Sequence, residues 1–270
     1  MELSNKKFNM MHFAVSVLAT AVLSVSASAS DDRGLYRFKK SSSELPNHAE
    51  LKAALREVVG ASINGGAGLD FWGVIVDRDG IVRTVAFSGE QRDSQLPIGR
   101  VVTTLKASTV NNLSLNNFVV SNPQLTMPMQ ANGVFQDLQD AYPINNVVFE
   151  GPARWFGTVR DPMIGHAVGG ATALGGGLAL YNEDREIIGA LGIGGEVHPC
   201  ADHNAAWILR HRLELDYLPE GIGFSPTGDD NIIHDLDVNG VSASGFGSPE
   251  CSPAATAISE RLPLDFPVRR

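Results

Sequence analysis

The sequence has little positive charge, only two cysteines and, beyond its first 30 residues, no long apolar run. Lys and Arg number 21 against 30 Asp and Glu, which gives a formal net charge of −9. An acidic surface repels both nucleic acid and anionic membranes, so neither is expected as a partner. A membrane-spanning helix needs about 20 apolar residues, and no such run follows the N-terminus.

Several catalytic and nucleotide-binding motifs are also absent. The chain has neither a Gly-x-Ser-x-Gly elbow nor a Gly-Lys-Ser/Thr phosphate loop. Residues 165–177 are glycine-rich but lead into a predicted strand, whereas a dinucleotide fingerprint leads into a helix. Residues 235–240 match half of a calcium loop, but Phe246 occupies the position of the bidentate acid. The sequence therefore predicts no catalytic residues and no metal site, and a non-enzymatic protein is expected.

Residues 1–29 have the pattern of a secretory signal peptide. Lys6 and Lys7 precede an apolar run at 13–25, and Ala-Ser-Ala at 27–29 supplies the small residues that signal peptidase accepts. The run is short for a membrane span, although an uncleaved anchor is the alternative interpretation. We expect a periplasmic or secreted protein that begins with a flexible segment at 30–46 and does not associate with the membrane after cleavage.

The two cysteines, Cys200 and Cys251, both lie in the mature part of the chain. A pair of thiols outside the cytoplasm is expected to be oxidised, and this bridge would join the C-terminal tail to a predicted helix. Two buried free thiols are the alternative. A redox-active pair is not expected because the chain has no Cys-x-x-Cys spacing.

Hydrophobic periodicity predicts three helices and two hairpins. Asn47 and Glu50 resemble a capping box for the first helix, Pro97 opens the second, and Asp202 caps the third. The predicted strands are 71–76 and 81–87 in the first hairpin, and 178–181 and 187–193 in the second. Since hairpins form antiparallel sheet, the sequence predicts an α+β fold with an antiparallel sheet built from two hairpins and flanking helices.

Two segments depart from this regular pattern. Residues 116–170 contain five prolines and are predicted to form a long inserted loop, a kind of segment that is often functional. Residues 219–270 form a C-terminal extension with an Asn-Gly hairpin turn at 239–240 and no predicted helix. The main domain is therefore placed at 47–218.

Three histidines lie beside glycine-rich or turn-like segments, where the close backbone leaves room for a ligand. They are His166, before the second hairpin, and His198 and His203, around the start of the third helix. Imidazole is a usual axial ligand of haem iron. The spacing matches no standard zinc site, and solvated or helix-capping histidines are the alternative.

Short motifs in a fixed order carry a resemblance to a known family. They are Trp-Gly-Val-Ile-Val-Asp at 72–77, Asp-Gly at 79–80, Lys-Ala-Ser-Thr at 106–109, Gly-Gly-Gly-Leu-Ala-Leu at 175–180 and Ile-Gly-Ala-Leu-Gly-Ile-Gly-Gly at 188–195. This set resembles the GlcG/HbpS-type haem-binding family over roughly residues 50–216. The resemblance implies a profilin-like domain that forms homo-oligomers and binds haem or free iron. The long loop and the tail depart from the family's short form.

The resemblance adds Lys106 and Thr109 to the three histidines as candidate haem-binding residues, because their segment lies near the family's pocket. An ordinary exposed helix lysine is the alternative for Lys106. Arg100, Lys106 or Arg154 are the expected partners of the haem propionates. Apolar side chains of the long loop are expected to form the wall of the haem site: Phe118, Met127, Met129, Phe135, Trp155 and Phe156.

The leading hypothesis is thus an exported haem- or tetrapyrrole-binding protein without a catalytic site. A periplasmic accessory module that binds a small organic acid, and a sensory module that binds a partner protein, are the alternatives. The bound species would be haem or another small molecule.

The signal sequence gives a first testable prediction. Cleavage after Ala29 should leave a mature chain that begins at Ser30. Intact mass spectrometry of the exported protein measures this directly. A full-length mass in the periplasmic fraction would contradict the prediction.

Overall fold

A four-stranded antiparallel sheet lies at the centre of the protein in a computed structural model that describes residues 44–270. The predicted signal peptide and nearly all of the segment at 30–46 lie outside the described residues. The strands are β1 (Trp72–Asp77), β2 (Val82–Phe87), β3 (Gly177–Tyr181) and β4 (Ile187–Gly194). Their order is β2-β1-β4-β3, so the two predicted hairpins join along β1 and β4. The predicted α+β fold with an antiparallel sheet is confirmed.

Helices cover both faces of this sheet. They are α1 (His48–Ala61), α2 (Gly99–Leu113), the short α3 (Leu138–Ala141), α4 (Pro199–Arg212) and α5 (Pro253–Asp265). Helix α2 packs against β1, β3 and β4 on one face, while α1 and α4 pack on the other. None of the helices within 44–270 combines the length and apolar character needed to cross a membrane.

Burial on both faces explains why the strands read as continuous apolar runs rather than as alternating patterns. Every residue of β1 is buried. Val74 and Val76 belong to the core shared with α2, and Ile75 between them belongs to the core shared with α1 and α4. Successive side chains of a strand point to opposite faces, so both faces of β1 need apolar residues.

Glycines of the second hairpin allow α2 to approach the sheet closely. A Cβ atom at Gly192 would lie 2.1 Å from the carbonyl oxygen of Thr103, and one at Gly177 would lie 2.5 Å from that of Lys106. Both distances are far shorter than any contact a side-chain carbon makes. The glycine-rich motifs therefore have a packing role, because a side chain at either position would push α2 off the sheet.

The observed helix ends correct two expectations. Helix α4 begins at Pro199 with His198 as its N-cap residue, so Asp202 lies inside the first turn and is not the cap. The tail also contains a helix that was not predicted, α5, in which Ser252 caps the N-H of Ala255. Pro253 opens this helix, because proline is well tolerated in the first turn of a helix, where its missing N-H would have no partner.

The long loop is attached to α2 through a buried ion pair. The Arg100 guanidinium donates from Nε to Asp161 Oδ2 at 2.8 Å and from Nη1 to the Val148 carbonyl at 2.7 Å. Asp161 also accepts the backbone N-H groups of Gly157 and Met163, at 2.8 and 3.0 Å. Arg100 is 2% exposed, so its guanidinium is committed to the loop. Contrary to expectation, it is therefore not available to pair with a haem propionate.

The C-terminal extension is attached in a similar way. Arg210 pairs with Asp230 through two hydrogen bonds of 2.7 and 2.8 Å, and the predicted Cys200–Cys251 disulfide is present. The expected turn at 239–240 is present too, but one bridge between Leu236 and Ser242 takes the place of a regular hairpin. The described residues 44–270 form one compact unit that includes the extension.

The disulfide gives a prediction about stability. It closes a loop across a sequence separation of 51. For a loop of this length the chain-entropy relation gives a stabilisation of about 4 kcal/mol. Cys251→Ser should therefore lower the free energy of unfolding by roughly 2–4 kcal/mol in urea titrations. Reducing agent should lower that free energy in the wild type and leave the variant unchanged. Equal sensitivity of both proteins to the reducing agent would contradict a contribution from the bridge.

Candidate functional site

Lys106 and Asp202 form a buried ion pair at the end of β4. Lys106 Nζ lies 2.6 Å from Asp202 Oδ2 and donates to the Ile193 carbonyl at 2.9 Å. Asp202 Oδ1 accepts the backbone N-H groups of Gly195 and Glu196. Burial raises the pKa of Asp202, and the nearby ammonium group of Lys106 offsets part of that rise. Lys106 is thus neither an exposed helix lysine nor an unpaired cation.

His203 lies in the core and does not line a described cavity. Its side chain is fully buried, and Nε2 lies 3.1 Å from Asn231 Oδ1. Burial lowers the pKa of His203 to about 3, and the hydrogen bond to Asn231 opposes this effect. The imidazole is therefore neutral at physiological pH and is held by the tail segment that contains Asn231.

His198 and His166 are both exposed but lie apart. His198 precedes α4, close to where Gly194 ends β4. His166 is next to Ala167, which bridges to Ile81. Gly194 pairs with Trp72 at the start of β1, whereas Ile81 precedes β2 at the opposite end of β1. The two histidines therefore lie at opposite ends of the sheet. The structure does not bring the three predicted histidines together.

Thr109 makes structural hydrogen bonds. Its hydroxyl donates to the Leu105 carbonyl at 2.7 Å and accepts the N-H of Thr172 at 2.9 Å. It also lines a small cavity of about 160 Å³ together with Leu138 and Tyr142. The cavities beside Lys106 and His198 do not include Thr109.

Two adjoining cavities form the strongest candidate site, which we name the Leu174 cleft because both are lined by Leu174 and Pro199. One holds about 310 Å³ and is lined by His198 and by the disulfide of Cys200 and Cys251. The other holds about 150 Å³ and has the Lys106–Asp202 pair in its wall. The cleft therefore joins two of the five predicted haem-binding residues, Lys106 and His198.

The rim of the Leu174 cleft is apolar and exposed. Leu96, Ile98, Leu174 and Val197 line the smaller cavity and are between 47% and 73% exposed. A contiguous exposed apolar patch of this kind marks a site of interaction with a ligand or another protein. Sequence analysis missed these residues. Leu96, Leu174 and Val197 lie in short segments near proline or glycine, outside any predicted helix or strand, whereas Ile98 was interpreted as a buried residue of the second helix.

The predicted aromatic wall is not assembled into one surface. Phe118 packs against Phe224, which also packs against the buried cluster that contains Met129. Phe156 and Arg154 line another cavity of about 320 Å³, which we name the aromatic cavity. The side chains of the long loop thus contribute to different parts of the molecule, because the loop wraps around it.

The burial of His203 predicts a pH dependence of stability. Between about pH 6.5 and pH 3 the unfolded chain binds a proton at this residue and the folded chain does not, so acidification lowers stability. From pH 7 to pH 5 this effect should cost roughly 2 kcal/mol, at about 1.4 kcal/mol per pH unit below the unfolded pKa. Urea unfolding at both pH values measures the loss, which His203→Gln should reduce. An equal loss in the variant would show that other groups cause it.

Comparisons with known proteins give limited similarity. No family model matches the chain, and no curated protein matches it. Among solved structures it is similar to PduOC in complex with heme, at 17% identity and a TM-score of 0.41, covering 60% of this chain and 88% of the other. It is also similar to the Klebsiella pneumoniae DUF336 protein ORFY, at 18% identity and a TM-score of 0.39, covering 62% and 87%. At these values neither similarity carries an argument about the ligand, and membership of the GlcG/HbpS family stays a prediction.

Proposed function

We propose that this chain is an exported binding protein for a planar apolar ligand of the haem or tetrapyrrole class, which it holds in the Leu174 cleft. The observation that carries the proposal is the exposed apolar rim of the smaller of two adjoining cavities, with His198 in the wall of the larger one. Small-molecule sites are mostly apolar concavities that contain a few polar groups. The cleft has this composition.

The donor set of the cleft fits haem through one residue. His198 is exposed, and its side chain does not cap α4, so its imidazole is accessible to a ligand in the cleft. Lys106 is paired with Asp202 and hydrogen-bonded to the Ile193 carbonyl, so it does not compete for the iron. His198 would therefore hold the iron of a haem bound in the cleft, while Lys106 keeps the shape of the adjoining wall.

Export is supported by two separate features of the chain. The sequence at 1–29 has the order of a cleavable signal, and the Cys200–Cys251 bridge suits an oxidising compartment. A structural disulfide of this kind is rare in the reducing cytoplasm of most organisms. Ligand capture would thus take place outside the cytoplasm.

The proposal predicts a saturable change in the Soret band when haem is added to the mature protein. His198→Ala should raise the dissociation constant by about tenfold or more, since a lost axial ligand is worth at least about 1.4 kcal/mol. Leu174→Asp should weaken binding as well, because it places a charge in the apolar cleft. His166→Ala is the matched control, as this exposed histidine lies at the other end of the sheet.

Two outcomes of this titration would overturn the proposal. No saturable shift in the wild type would remove haem as the ligand. Equal weakening by His198→Ala and His166→Ala would show that haem binds exposed histidines without using the cleft. Thermal unfolding of each variant separates a loss of binding from a loss of folding.

A further inference from the structure

The aromatic cavity adjoins the Leu174 cleft without sharing a lining residue with it, and two of its rings are held rigidly by the sheet. Trp72 and Phe87 are directly paired residues of β1 and β2, and their rings are stacked with centroids 4.4 Å apart. Gly157 packs against them so closely that a Cβ atom there would lie 2.8 Å from Phe87 Cβ and 2.9 Å from Trp72 Cζ3. The two rings therefore form a fixed wall.

The third ring comes from the long loop and is supported from outside the cavity. The Arg100 guanidinium lies 3.9 Å from the centroid of the Phe156 ring. Phe156 lines the cavity, whereas Arg100 does not, so the cation supports the face of the ring that is turned away from the cavity. Since Asp161 holds Arg100 in a buried ion pair, Phe156 is positioned before any ligand binds.

The charges around the cavity favour an anion. Lys52 and Arg154 line it, and within residues 44–270 neither has a carboxylate at ion-pair distance. Glu90 supplies the negative charge of the lining, but it already pairs with Arg56. The lining thus has two cations without a carboxylate partner and one acid that shares an exposed ion pair with Arg56, which leaves an excess of positive charge.

One polar group in the wall also lacks a partner. Trp72 is 5% exposed, and its Nε1-H makes no hydrogen bond to any residue that the structure describes. A buried donor without an acceptor is costly, and in native proteins it usually has a functional or solvent partner. This edge of the indole lies against Gly99, which lines the Leu174 cleft, so the donor is not assigned to a ligand of the aromatic cavity.

We propose that the aromatic cavity binds a small aromatic carboxylate. The ring of the ligand packs among Trp72, Phe87 and Phe156, and its carboxylate is held by Lys52 and Arg154. A volume of about 320 Å³ is at the small end of ligand sites, which suits a molecule of one or two rings. This site is distinct from the proposed haem cleft, because the two have no lining residue in common, although Pro97 of the cavity lies between Leu96 and Ile98 of the cleft.

The test uses 2-naphthoate as the probe and its primary amide as a neutral analogue of nearly the same shape. Calorimetric titration of the mature protein should give one saturable site for the acid, with the amide about tenfold weaker because it cannot form the charged contacts. Quenching of tryptophan fluorescence provides a second readout, since Trp72 is in the wall.

Arg154→Gln should weaken naphthoate binding by about tenfold and bring the acid and amide affinities together. Lys52→Gln should act in the same direction. Arg160→Gln is the matched control, because this exposed arginine belongs to the same loop but does not line the cavity. The control should bind naphthoate as tightly as the wild type does.

Three results would overturn the inference: no saturable binding, equal affinity for the acid and the amide in the wild type, or equal weakening by Arg154→Gln and Arg160→Gln. A competition experiment distinguishes this inference from the haem proposal. Naphthoate should bind with unchanged affinity in His198→Ala, and an excess of naphthoate should not displace haem. Displacement would show that the two ligands use one site, which contradicts a separate aromatic cavity.

Discussion

The ion pair between Lys106 and Asp202 holds together the two faces of this fold. Lys106 belongs to α2 on one face of the sheet and Asp202 to α4 on the other, and both also bind backbone groups at the end of β4. A buried pair adds little net stability, but losing one partner costs about 3–5 kcal/mol because the other charge stays buried. The main consequence of the pair is therefore geometric. Helix α4 must start, and helix α2 must pass, where β4 ends.

The segments added to this core are attached by the same kind of interaction. Arg100 and Asp161 hold the long loop to α2, while Arg210 and Asp230 hold the C-terminal extension to α4. Arginine suits such positions because its planar fork can bind both oxygens of a carboxylate. The long loop packs beside α2 on the face of β1 and β2, and α5 of the extension packs on α4. The Leu174 cleft and the aromatic cavity both lie at these junctions, so the additions create the candidate sites.

The elements of the core could be predicted because local patterns determine them. Each of the four predicted strands overlaps an observed one, and the capping box of Asn47 and Glu50 begins α1 as expected. The pairing of β1 with β4 could not be predicted, since β1, β3 and β4 are all apolar on both faces and the local pattern does not distinguish their neighbours. Helix α5 was missed because Pro253 and Pro263 resemble breakers, although the first proline lies where a helix tolerates it.

The candidate site was harder to predict because exposure depends on the tertiary structure. His198 and His203 are five positions apart at the start of one helix, yet one is exposed and the other fully buried. Residue type and spacing do not distinguish the two histidines, whereas the fold leaves only His198 accessible to a ligand. The charged residues follow the same rule, because Arg100 and Lys106 are paired inside the protein while Arg154 faces a cavity. For this chain, the side chains left unpaired after packing locate the sites better than the side chains that resemble ligands in the sequence.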